Sequence, residues 1–228
     1  MEPLQITLGE RVIALEVRRH QRARRISLKL SPARDGIVMT LPRRASVEAG
    51  MKFFISKADW VLANVESDAG IVLKDGAVIP LFGEMTLIRH MPGRGVTQQA
   101  AGELHVYGNA EFTARRVKDY IRKGLQEKCV RQAQAIAAQI GKTVRSVRIR
   151  DTSARWGSCS TSGNLSFNFR LAFAPTEVLE YLIAHEVAHL AQMNHSAQFW
   201  TTVAELCPPM RTARTWIRRN GHTLYRYK

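Results

Sequence analysis

The sequence predicts an α+β fold, with a β-rich region over residues 1–110 and a helix-rich region over 111–228 that carries a His-Glu-x-x-His motif. Three observations lead there. Short β-branched or alternating runs, separated by turn residues, fill most of the first hundred positions. A long helical periodicity starts near Glu111, and a strongly apolar segment leads into His185-Glu186-Val187-Ala188-His189.

Within the first region, Gln5 to Thr7, Val12 to Val17, Ile26 to Leu30 and Ile37 to Leu41 read as strands. Arg25 to Leu30 alternates polar and apolar, which puts its charges on one sheet face. A helix from Ser46 to Asn64 comes next, with Val47, Phe54, Val61 and Leu62 at helical spacing. Further strands are expected at Ile71 to Leu73, Val78 to Leu81, Met85 to Ile88 and Leu104 to Tyr107. Met91-Pro92-Gly93-Arg94-Gly95 reads as a loop and not a phosphate cradle, because no helix start follows it.

The second region opens with one amphipathic helix from Glu111 to Ile140, and Gly141 suits its C-terminal cap. Strands are expected at Val144 to Ile149, Ala154 to Gly157 and Leu165 to Phe169, with Thr161 to Asn164 as a turn. Pro175 suits a first helical turn, and Glu177 and Glu180 favour the positive end of the dipole. Asn194 tolerates the left-handed conformation that ends many helices. Ser196 reads as the cap of a further helix burying Phe199, Val203 and Leu206, which Cys207-Pro208-Pro209 stops. No internal repeat is detectable, and no flexible linker marks the expected boundary near residue 110.

The motif carries the chemistry. Residues four apart share a helix face, so His185 and His189 can present both imidazoles to one ion, and His195 can fold back as a third ligand. Glu186 then stands beside the metal as a general base. Three histidines with one free position describe a catalytic zinc site, since structural sites close all four. A random His-Glu-x-x-His would occur in about 0.01 of chains of this length, before the third histidine is required. The competing reading is a surface helix with solvated histidines. Val178, Leu179, Tyr181, Leu182 and Ile183 argue against it, because unpaired rings on a buried helix are costly. Zinc lowers the pKa of its water to about 7, so that Glu186 can take the proton as a peptide carbonyl is attacked.

Composition narrows the partners. The 228 residues are 45% hydrophobic, which fits a globular chain, and no apolar run approaches membrane-spanning length. The start, Met1 to Gln5, lacks the regions of a secretory signal. Three widely spaced cysteines, Cys129, Cys159 and Cys207, fit reduced thiols in a cytoplasm, and the lack of a Cys-x-x-Cys pair excludes an accessory zinc ribbon. The formal charge of +15 predicts attraction to polyanions. Basic clusters at Arg18 to Arg25, Arg115 to Arg131, Arg145 to Arg150 and Arg211 to Arg219 read either as a nucleic-acid surface or as a solvated basic face. The expected partners are a protein or peptide substrate, nucleic acid through the basic surface, and no membrane; the oligomeric state is left open.

With Arg155-Trp156-Gly157-Ser158-Cys159, Asn168-Phe169-Arg170-Leu171, Asn194-His195-Ser196 and Phe199-Trp200 set beside the histidine motif, the chain closely resembles the YgjP-like family of predicted zinc-dependent metallopeptidases. The basic Arg22 to Leu28 stretch looks like that family's N-terminal region, and the match is densest from about residue 144 to 210. The resemblance implies a zincin-like metallopeptidase domain with His185, His189 and His195 as Zn2+ ligands and Glu186 as base. It also implies kinship with SprT and Spartan proteases, which act on DNA-linked proteins. The missing cysteine ribbon departs from them. The ten-residue spacing of His185 and His195 also permits a metzincin comparison. That group carries glycine where Gln192 stands, and a methionine turn that the surroundings of Met210 do not match.

Arg155 to Cys159 has two readings. It could line the cleft, with Gly157 admitting a substrate backbone, or it could be a packed hairpin in which Trp156 fills core. Cys159 as a nucleophile or fourth ligand is disfavoured, since a thiolate would close the site. His222 could reach the cleft but sits in a polar tail. His20, His90 and His105 lack partners at ligand spacing and read as structural or surface residues. Two other functional classes compete with a peptidase: a nucleic-acid-associated protein whose protease activity depends on DNA or RNA, and a zinc-stabilised binding module without catalysis.

Overall fold

The computed structural model describes residues 3–66 and 70–227. Met1 and Glu2, the beginning of the stretch read for a secretory signal, lie outside them. The fold is α+β, and it divides into two compact units, residues 1–70 and 71–228. That division precedes the boundary expected near residue 110. The reason lies in the core: Ile79, Leu81, Ile88, Leu104 and Val106 are buried in one cluster with Val117, Ile121 and Leu125, so the strands between residues 78 and 107 share a core with the helix after them.

In the first unit, β1 (Leu4–Leu8), β2 (Arg11–His20), β3 (Ser27–Leu30) and β4 (Gly36–Pro42) form a sheet in the order β1-β2-β4-β3. The β2–β4 pair is parallel and its neighbours are antiparallel. Alternation along the pleat buries Ile13 and Leu15 on β2 and Ile37, Met39 and Leu41 on β4. The single helix expected from Ser46 to Asn64 is two, α1 (Val47–Ile55) and α2 (Ala58–Asn64). Ser46 caps the first by accepting from the Ala49 amide at 3.0 Å. The Ser56 hydroxyl donates to the Phe53 carbonyl at 2.7 Å and the Lys57 amide to the Phe54 carbonyl at 3.0 Å, so i to i−3 bonds tighten the turn and end the helix.

The second unit begins with β5 (Val78–Leu81), β6 (Glu84–Met91), β7 (Gln98–Ala100) and β8 (Glu103–Tyr107), in the order β5-β6-β8-β7. Connectivity and pairing senses repeat those of the first sheet, although the sequence betrays no repeat. Strand β7 carries no apolar alternation and is absent from the strands expected above. Ile71 to Leu73 is not a strand; Ile71 makes a single parallel bridge to Tyr227, a partner at the far end of the chain.

Next, α3 (Thr113–Gln139) buries Val117, Ile121, Leu125, Cys129, Ala133 and Ala137, a ladder of every fourth residue. It ends in a Schellman motif: Gly141, at φ 63°, donates to the Ala138 carbonyl and Lys142 to the Ala137 carbonyl. Then β9 (Ser146–Arg150), β10 (Gly157–Cys159) and β11 (Asn164–Asn168) form a sheet in the order β10-β11-β9. Strand β10 starts later than expected: the Asn168 side chain and the Tyr225 hydroxyl both donate to the Thr152 carbonyl, and residues 152–155 lie off the ladder. Helices α4 (Thr176–Ala188), α5 (Ala197–Leu206) and α6 (Met210–Asn220) complete the unit. No helix among the described residues is long and apolar enough to cross a membrane.

Candidate metal centre

Helix α4 packs on α3, α5, α6 and β10, which explains its nearly continuous apolar sequence. Nine of its residues are buried, including Glu186 at 5% exposure. His185 lies in its last turn and His189 caps its C-terminus. The chain leaves the helix through bonds from Leu190, Ala191 and Gln192 back to Val187 and Ala188. Asn194 does not adopt the left-handed conformation expected of it; among the described residues only Arg34, Phe82 and Ala101 do so without being glycine. It turns the chain with its side chain instead, accepting from the Ser196 amide at 3.3 Å. Ser196 then caps α5 by accepting from the Phe199 amide at 3.4 Å.

This path brings His195 back over the end of α4. One ring nitrogen from each of His185, His189 and His195 lies within 4.8 Å of the other two. The Nε2 atoms of His185 and His195 are 3.3 Å apart. Two imidazole nitrogens bound to one tetrahedral ion at about 2.0–2.1 Å stand about 3.3 Å apart, so this pair has the spacing of co-ligands. His189 Nδ1 sits 3.0 Å from the Gln192 carbonyl oxygen. A carbonyl only accepts, so Nδ1 carries the proton and the Nε2 lone pair is left available. His185 Nδ1 is buried with no hydrogen-bond partner among the described residues, which leaves Nε2 as that ring's polar outlet.

The surroundings favour the neutral form of His185 and His189. Burial, then the neighbouring His189 and His195, push His185 down to about 4. Burial also lowers His189, against the bond to Gln192. Neutral imidazoles are the form that binds metal. Phe199, fully buried on α5, lies 5.0, 4.5 and 4.8 Å from the ring centroids of His185, His189 and His195. Trp200 stacks on His195 at 5.6 Å and carries the Arg214 guanidinium at 4.1 Å. A cluster of three imidazole donors on an apolar floor suits a metal ion.

Glu186, on the same helix, lies against β10. A Cβ on Gly157 would stand 2.5 Å from its Oε1, 2.8 Å from Cγ and 2.9 Å from Cδ. Burial pushes the carboxyl up to about 7, against the pull of the nearby Arg155. The space that a side chain at residue 157 would fill is taken by the Glu186 side chain. Trp156 packs against Tyr225 with ring centroids 4.9 Å apart.

The remaining candidates stay apart from the cluster. His90 bonds the Gly108 carbonyl, His105 bonds Glu103, and His20 accepts from the Arg22 amide. Cys129 and Cys207 are buried and Cys159 is half-buried. Burial, then the Glu186 charge, pushes the Cys159 thiol up to about 11. Sequence reasoning places Phe199 in the core without linking it to the histidines. Its spacing of four from His195 is the available signal.

A family model described as YgjP-like, metallopeptidase domain, matches residues 24–220. No curated protein and no solved structure matches the chain.

Proposed function

The chain belongs to the YgjP-like metallopeptidase family, and from that footing we propose that it is a zinc-dependent peptidase with His185, His189 and His195 as metal ligands and Glu186 as general base. The observation that carries the proposal is the convergence of one ring nitrogen from each of three imidazoles within 4.8 Å, with a buried carboxyl on the residue next to the first. Bound there, zinc would polarise the scissile carbonyl and acidify a water at neutral pH.

The chain's own residues supply the rest. Glu186, poised near neutrality by burial, accepts a proton from the attacking water as the new carbon–oxygen bond forms. It delivers that proton to the departing amine nitrogen as the carbon–nitrogen bond breaks. Gln192 fixes the tautomer of His189, and Phe199 backs all three rings against reorientation. Three unpaired cysteines support a reducing, cytoplasmic setting.

The test compares wild type and Glu186→Gln, loaded with zinc to the same occupancy, on an unfolded protein substrate. Both proteins should retain zinc, and only wild type should cleave. Equal cleavage by the two would remove Glu186 from the mechanism. Zinc retention with no cleavage by wild type would favour a binding module.

A second reading has its own support. Two adjoining cavities of about 570 and 670 Å³ run along α3, lined by Arg115, Arg116, Arg122, Lys123 and Arg131, with Asp119 and Glu127 among them. We propose this groove as the place where a nucleic-acid backbone would lie. Retention on single-stranded DNA that weakens steeply with salt, and is lost on charge reversal of Arg115 and Lys123, would support it. No retention at physiological ionic strength would sink it.

A further inference from the structure

We propose that Gly157 is a positioning residue for Glu186: the hydrogen in place of a side chain on β10 is what lets the carboxylate lie against the strand and point from α4 as it does. The inference rests on the peptidase reading for its functional meaning, and on geometry for its substance.

Three atoms of Glu186 lie closer than 3.0 Å to where a Cβ of residue 157 would be. Real Cβ atoms do not make such contacts, so one partner would have to move. The strand backbone is the fixed partner, so the Glu186 side chain is the one that would be displaced. Gly157 is held by pairing with Phe167, and the Trp156 carbonyl accepts from the Asn168 amide at 2.8 Å. Glu186 is buried on a helix enclosed by α3, α5 and α6. The φ of Gly157 is not in the left-handed region, so the requirement for glycine is one of space and not of backbone conformation.

Strand periodicity extends the point. Cys159, two residues on, shares the face of β10 that Gly157 presents, and it feels the Glu186 charge. On the opposite face the Ser158 and Ser166 hydroxyls bond at 2.7 Å. The face of β10 toward α4 thus carries only Gly157 and Cys159, and the glycine is the one that stands against the carboxylate.

The first experiment is a double-mutant cycle on metal-free protein, read as thermal unfolding, with Gly157→Ala in the wild type and in Glu186→Ala. The second variant deletes all three crowded atoms. Gly157→Ala alone should lower Tm by roughly 3–10 °C through overpacking, and the same change in Glu186→Ala should cost little. An equal loss in both backgrounds would overturn the contact.

The second experiment asks whether the contact positions the base. At matched zinc occupancy and below its Tm, Gly157→Ala should lose roughly 10–100-fold in kcat on the unfolded protein substrate, with KM held within about twofold. Coupling in the cycle with unchanged kcat would reduce Gly157 to a packing residue and overturn the positioning role. Should wild type itself fail to cleave, the peptidase reading falls, and the metal-free cycle still decides whether Gly157 seats Glu186.

Discussion

Replacing Glu186 by glutamine should stabilise the metal-free protein at alkaline pH and leave its stability nearly unchanged in acid. The carboxyl is buried and its pKa is raised from 4.5 to about 7. The sign is the reverse of a paired surface carboxylate. Below pH 4.5 the group is protonated in both folded and unfolded states, and ionisation contributes nothing. Between 4.5 and 7 the unfolded chain ionises while the folded chain holds its proton, so stability falls as pH rises. Above 7 both ionise and the penalty levels off. A separation of 2.5 units at about 1.36 kcal/mol each amounts to about 3 kcal/mol. Glutamine lacks this titration. The assay is urea unfolding of chelator-treated wild type and Glu186→Gln from pH 4 to 9. His185, pushed down to about 4, makes both proteins lose stability as pH falls from 6.5, and that contribution cancels in the difference. The difference should grow by about 3 kcal/mol between pH 4.5 and 8. A pH-independent difference would refute the buried, raised carboxyl. A difference that shrinks with pH would mean the carboxylate is stabilised by an unrecognised cation.

Other consequences can be read directly. Phe199→Ala should cost about 3–5 kcal/mol by leaving a cavity under three rings, and should weaken zinc binding; unchanged metal affinity would show that the floor does not orient the histidines. Cys129 and Cys159, pushed up to about 12 and about 11, should resist iodoacetamide at pH 7.5 in the folded protein and react once it is denatured. Rapid alkylation of Cys159 in the native state would contradict its shielding beside Glu186. Gly141→Ala should lower stability by about 1 kcal/mol through strain in the left-handed cap of α3, measured by urea midpoint; no loss would mean the helix end relaxes freely.

What is legible in the sequence is local. The cap at Ser196, the stop at Cys207-Pro208-Pro209 and Gly141 after α3 each act within a few residues, where turn chemistry decides the outcome. The histidine spacing belongs to the same class, since one helical turn brings His185 and His189 together without help from elsewhere. Elements that depend on distant partners escape such a reading. Strand β7 exists because β8 offers it an edge, and Ile71 to Leu73 lacks a ladder because its one partner is Tyr227. The break after α1 turns on one hydroxyl competing for a carbonyl, a balance too fine for periodicity to register.

The sequence by itself thus determined the ingredients of the candidate site, because side-chain type and helical spacing are written into adjacent residues. Only the tertiary structure decided how they meet. Packing set Phe199 beneath all three rings, and it laid the bare backbone of Gly157 against Glu186. It also joined β5 to β8 to the core of α3, which moved the division of the chain to residue 70. These contacts span long stretches of chain, and their energy comes from buried area and close fit, which depend on which surfaces finally touch.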